Sequence, residues 1–243
     1  MTKGWVVAFA LLLAGFGSGA LGALGAEDVD SFEAGLRAKG RDHYATALRA
    51  WQPLADKGVP QAQNNMGHMS EEGLGVTQDY GRAMSWYKSA ANQGLKEAQH
   101  NVGLLYYHGY GVAKNTREAL AWFKLAAGQK LADSEYMIGL LLHNGESVGL
   151  DYQQAKVWFL RAARQGYGPG QLMYAFMLQA GEGQDPEPFK AYVWAKVAEV
   201  NGQAEDAQAI YNLSALQLED DDVPKAEAAA LQCVATQFAE CAE

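Results

Sequence analysis

Apolar side chains recur along the chain at the three-and-four spacing of an amphipathic helix, in short segments separated by polar, glycine-bearing stretches. The clearest pair is "EAQHNVGLLYYH" and "TREALAWFKLAAG", joined by "GYGVAKN". The pattern predicts helical hairpins. The pairs also return at a fixed interval: "WYKSAANQG" at 86–94, "WFKLAAGQK" at 122–130, "WFLRAARQG" at 158–166 and "WAKVAEVNG" at 194–202, each 36 residues after the last. A period of this size marks a stacked repeat array, in which each unit buries its apolar face on the next.

The columns of the array carry separate physical requirements. Trp86, Trp122, Trp158 and Trp194 form one column, and Ala83, Ala119, Ala155 and Ala191 precede it by one helical turn. Gly73, Gly109, Gly145 and Gly181 fall in the loops, where valine follows as Val76, Val112 and Val148. Asp79, Asn115 and Asp151 stand just before the second helix, where a side-chain oxygen can cap exposed amides. Gly58, Gly94, Gly166 and Gly202 close the unit as helix C-terminal residues, with Lys130 as the one departure. Gly67, Gly103 and Gly139 lie inside the first helix, where a glycine costs about 1 kcal/mol relative to alanine, and Ala175 continues their column. Only close approach of another element explains repeating that cost, and the bulky second helix is the expected partner. A tryptophan that buries most of its roughly 150–250 Å² gains about 4–6 kcal/mol, enough to outweigh the glycine. All four indoles are therefore expected to be covered.

The columns resemble the Sel1-like repeat, a relative of the tetratricopeptide repeat. Residues 98–127 carry the pattern most fully, through Ala98, Val102, Gly103, Tyr106, Gly109, Gly111, Val112, Ala119, Trp122, Phe123, Ala126 and Ala127. The resemblance covers about 59–202 and implies an all-α, right-handed α–α superhelix, a solenoid of repeats at 59–94, 95–130, 131–166 and 167–202, the last divergent. A degenerate repeat at 26–58 precedes them, and there Trp51 lies one position off the tryptophan column, so that hairpin is expected to pack differently. From 203 to 243 the pattern stops, and two further helices are expected to cap the array ahead of a cysteine-bearing tail.

The first 25 residues read as a secretory signal peptide, with Lys3, an apolar stretch from Trp5 to Phe16 and an A-x-G cleavage site at Ala23-Leu24-Gly25. Periplasmic or secreted location follows, without stable membrane insertion after cleavage. From residue 26 the chain holds 18 basic and 28 acidic side chains, a formal charge of −10, with no basic run, which argues against a nucleic-acid partner. Cys233 and Cys241 are the two cysteines, and in an oxidising compartment a nearby pair forms a disulfide. Eight residues of unbroken helix span about 12 Å, so the bond requires the helix to end near Gln237 and fold back. Free thiols, or pairing with a partner, are the alternatives.

Catalytic chemistry finds little support. Ser85-Trp86-Tyr87-Lys88 matches S-x-x-K, a motif raised by exported cysteine-rich relatives described as penicillin-binding or weakly hydrolytic, but no S-D-N or K-T-G accompanies it. His43, His68, His100, His108 and His143 form no metal-ligand pattern, and Asp220–Asp222 lack the spacing of a calcium loop. No catalytic residue, metal ligand or cofactor is assigned. In a solenoid of this kind the first helices line the groove. Its candidate contacts are Asn64, Asn65, His100, Asn101, Tyr107, Tyr136 and His143, offering hydrogen bonds to an extended backbone and rings to apolar side chains. The expected function is a monomeric, non-catalytic exported adaptor holding a protein or peptide in that groove. A cell-wall (peptidoglycan or β-lactam) binder or weak hydrolase and an inert spacer are the competing readings.

Overall fold

The computed structural model describes residues 25–146 and 149–241. The signal-peptide reading and Val148 fall outside the described residues, apart from Gly25. Among those described there are twelve helices and no strand: α1 (Ala26–Lys39), α2 (Tyr44–Asp56), α3 (Pro60–Glu72), α4 (Tyr80–Ala91), α5 (Lys96–His108), α6 (Thr116–Gly128), α7 (Ala132–His143), α8 (Tyr152–Arg164), α9 (Gly168–Ala180), α10 (Pro188–Val200), α11 (Ala204–Ala215) and α12 (Asp222–Ala235). Helices adjacent in sequence pack on one another from α1 to α11, as in a solenoid.

Local signals set the helix ends. Asp79, Asn115 and Asp151 accept hydrogen bonds from the backbone amides of Arg82, Glu118 and Gln154 at 2.9, 3.1 and 2.9 Å. Gly73, Gly109 and Gly181 end their first helices in the left-handed conformation. Lys130, which replaces the closing glycine, keeps that conformation at φ 59°.

The mid-helix glycines do admit the second helix, but the ring they admit is not the tryptophan. A methyl group placed on Gly67, Gly103 or Gly139 would lie 2.6 Å from the ring of Tyr87, Phe123 or Phe159 respectively. Those rings are 0–1% exposed, whereas Trp86, Trp122 and Trp158 are half-buried. Each of these indoles reaches back instead to the apolar cluster of the preceding hairpin. Neighbouring positions on a helix point about 100° apart, so the inward ring and the inter-repeat ring are separate columns. Trp194 alone of the tryptophan column is fully buried.

The first hairpin follows the same rule rather than a different one. Trp51 stands 36 residues before Tyr87, in the inward column. Its indole covers Gly35, where any added side chain would overlap it, and donates to the Phe32 carbonyl at 3.1 Å.

Two polar columns stitch successive repeats together. Gln63, Gln99, Glu135 and Gln171 are buried at 36-residue intervals. Three of them donate to carbonyls of the preceding hairpin, at Ala55, Ala91 and Ala163. Each of the four also accepts an amide from the following helix end, from Gln93, Gln129, Gln165 and Asn201 at 2.6–2.9 Å. Glu135 breaks the glutamine series with a carboxylate whose side chain is 2% exposed, and Arg161 pairs with it at 2.7 Å. The corresponding residues of the other repeats are Ser89, Leu125 and Val197, so the cation is present only where the buried charge is.

At the far end, Tyr211 occupies the register of the mid-helix glycine. A ring there forbids a close hairpin, and α11 and α12 both pack on α10 instead. Past α12, Gln237 and Phe238 take left-handed conformations that turn the chain back. Cys241 thereby reaches the buried Cys233, and the two form a disulfide.

Candidate binding face

The seven residues singled out on the first helices are all half-buried. The fold uses several of them internally. The Asn101 amide on α5 donates to Asn64 Oδ1 on α3 at 3.0 Å. His100 Nδ1 lies 2.8 Å from Ser134 Oγ on α7, and burial holds this imidazole below its ordinary pKa. His143 Nε2 meets Glu182 Oε2 at 2.7 Å. Tyr136 packs its ring between Phe159 and Tyr167, with centroids 5.6 and 5.5 Å away, and burial raises its hydroxyl pKa. Tyr107 is raised by burial and then by Glu146, while Lys114 sits 5.3 Å over its ring.

Asn65 is the exception. Its Nδ2 is shut off from solvent without an acceptor. Counting back from the small residue in each first helix, the position that Asn64 holds in α3 belongs to Phe32 in α1. In register, a ring thus stands on the preceding first helix where Asn101 finds the Asn64 amide oxygen.

The centre of the outward face is a column that sequence reasoning missed, immediately after the mid-helix small residue. It runs His68, Leu104, Leu140, Phe176, flanked by Asn65, Asn101, Met137 and Met173. The face is therefore polar on α3 and apolar by α9, where Phe176 is 38% exposed. The available signal was the register itself, since all four positions are spaced as the glycines are.

The candidate catalytic and metal-binding groups are largely engaged with other partners. Ser85 Oγ donates to its own helix at the Gly81 carbonyl, and Lys88 Nζ donates to the Tyr106 hydroxyl at 3.0 Å, so the S-x-x-K pair is not joined. His68, Glu71 and Glu72 bring their ligand atoms within 4.8 Å of one another on one turn of α3. Glu71 is already taken by the Tyr87 hydroxyl at 2.6 Å, and His68 is lowered by burial and then by Lys39. No described helix is long and apolar enough to cross a membrane.

Comparison with known proteins agrees with this architecture. No curated protein matches the chain in sequence. Among solved structures, a protective antigen present in uropathogenic Escherichia coli strains, displaying an SLR fold, is 25% identical, with a TM-score of 0.78 over 87% of this chain and 47% of the antigen. The chain thus spans about half that antigen's length. A Sel1 repeat protein from Oxalobacter formigenes is 27% identical, with a TM-score of 0.66 over 78% of this chain and 86% of its own. The Sel1 repeat itself matches residues 60–95, 96–130, 132–167, 168–198 and 207–233, the last across α11 and α12 where the 36-residue pattern fades. With most of the chain matched unit by unit, and the repeat columns forming one stitched array, the protein belongs to the Sel1 repeat family.

Proposed function

We propose that the protein is an exported, monomeric, non-catalytic adaptor. It holds an extended segment of a partner protein along the outward face of its first helices, in envelope signalling, assembly or host interaction. The observation that carries this reading is the graded face, from Asn65 and His68 on α3 to Met173 and Phe176 on α9. Such a gradient orients a segment that is polar at one end and apolar at the other. Half-exposed apolar side chains in register are the usual anchors of a protein contact. The disulfide and the signal-like N-terminus support export. Resemblance to a protective antigen adds to that support.

A wall-directed hydrolase is disfavoured by the separate engagements of Ser85 and Lys88. The test is photo-crosslinking in intact cells, with the probe at Phe176 and at Tyr107. One partner should be captured at both positions, and Phe176→Asp should release it. Recovery of no partner, or of the same mixture from the variant, would overturn the adaptor reading. Nitrocefin turnover by the pure protein would overturn its non-catalytic part.

A further inference from the structure

The second-helix side of the array contains a crevice of about 280 Å³ between α6 and α8, floored by α7 and lined by Leu120, Lys124, Ile138, Leu142, Gln154 and Trp158. Its volume lies just below the range of about 300–1,000 Å³ typical of small-molecule sites, so it is sized for a single side chain. The repeat register shows what such a space accepts. In the preceding groove, between α4 and α6, the corresponding residues include Lys88, Tyr106 and Trp122. There the tyrosine and the indole pack on the same buried cluster, and Lys88 Nζ donates to the phenolic oxygen at 3.0 Å while lying 5.2 Å from the ring centroid. One repeat later the lysine and the indole are kept as Lys124 and Trp158, but the tyrosine is replaced by Leu142. The shorter side chain supplies no ring and no acceptor. Lys124 is exposed and has no hydrogen-bond or ion-pair partner among the described residues.

We infer that this crevice binds a tyrosine side chain presented by a partner protein, seated as Tyr106 is seated in the chain's own preceding groove. The ring lies against Trp158 and Leu142, and the hydroxyl accepts a hydrogen bond from Lys124. This site is on the opposite helix layer from the graded face and does not depend on it.

The test uses the full chain with p-cresol as the phenol probe and toluene as its hydroxyl-free counterpart, followed by two-dimensional NMR of the tryptophan indole N–H groups. The Trp158 resonance should shift saturably with p-cresol, and toluene should bind about tenfold more weakly, the worth of one hydrogen bond to a charged donor. Lys124→Met should remove that preference. Leu142→Tyr should fill the crevice from within and abolish the shift while keeping the helical circular dichroism spectrum. Tyr106→Leu should open a second site, reported by Trp122. An unmoved Trp158 resonance, equal binding of the two probes, or full p-cresol binding by a folded Leu142→Tyr protein would overturn the assignment.

Discussion

Hairpins α3–α4, α5–α6 and α7–α8 place a glycine beneath Tyr87, Phe123 or Phe159, and leave the neighbouring indole half-buried between repeats. Hairpin α9–α10 has Ala175 and Ala195 at those two positions, both fully buried, and its indole is the buried ring. Trp194 meets Tyr174 edge-on with centroids 5.4 Å apart, and shares a cluster with Ala226, Ala230 and Cys233. One hairpin thus moves its aromatic bulk by a single residue, about 100° around the helix. A glycine facing a ring and an alanine facing an alanine are alternative fits to one interhelical gap. The choice decides whether the tryptophan serves the preceding repeat or the terminal cap.

The largest expected effect separates the two uses of tryptophan. Trp194→Ala should cost about 3–5 kcal/mol, as a large cavity in a closed core does. Trp122→Ala, removing a half-buried ring, should cost roughly half of that. Urea unfolding of the two variants gives the difference directly, and equal losses would break the comparison. Within the ring-under-glycine class, α7–α8 differs from its neighbours by its buried carboxylate. Arg161→Leu should cost about 2–3 kcal/mol by leaving the Glu135 carboxylate with the Gln165 amide but without its counter-charge. Glu135→Gln added to it restores the pattern of the other repeats and should recover most of the loss. A double variant no better than the single would mean that Arg161 acts by packing, not charge.

The gap itself is probed by two opposite substitutions. Gly103→Ala should destabilise by about 1–3 kcal/mol through overlap with Phe123, although alanine is the better helix former by about 1 kcal/mol. Ala175→Gly, with no ring above it, should lose that propensity difference and the burial of one methyl group, about 1–2 kcal/mol together. A stabilised Gly103→Ala protein would show that the helices can separate at no cost.

Much of this architecture was legible in the sequence because each repeat answers to the same constraints. The period, the caps at Asp79, Asn115 and Asp151, and the need for close approach at the mid-helix glycines all follow from residue type in register. The facing of the rings did not follow. Trp86 and Tyr87 are adjacent aromatics, and periodicity alone does not say which of two neighbouring columns turns inward. Two residues held the answer: Trp51 in register with Tyr87, and Ala195 opposite Ala175. The glutamine columns escaped for another reason. A polar residue at helical spacing reads as surface unless a second polar column, here Gln93 to Asn201, is recognised as its partner. The outward apolar column of Leu104, Leu140 and Phe176 escaped as well, since hydrophobicity carries no sign for which side of a helix it covers.

The smallest effect tests the gradient along the first helices, where α3 and α5 carry asparagine and α7 and α9 carry methionine. Asn65 has a buried amide nitrogen without an acceptor, while Asn101 donates to Asn64 at 3.0 Å. A stranded donor costs about 1–3 kcal/mol and a satisfied one contributes about 1 kcal/mol. Asn65→Met, adopting the residue that Met137 and Met173 supply in the apolar half, should therefore stabilise by about 1 kcal/mol. Asn101→Met should destabilise by a similar amount, because it removes a bond and leaves Asn64 unanswered. The two substitutions are chemically identical and one repeat apart, so thermal midpoints moving in opposite directions can come only from the neighbour each asparagine faces. Midpoints moving the same way would mean that Phe32 standing in the place of an asparagine does not set the behaviour of this face.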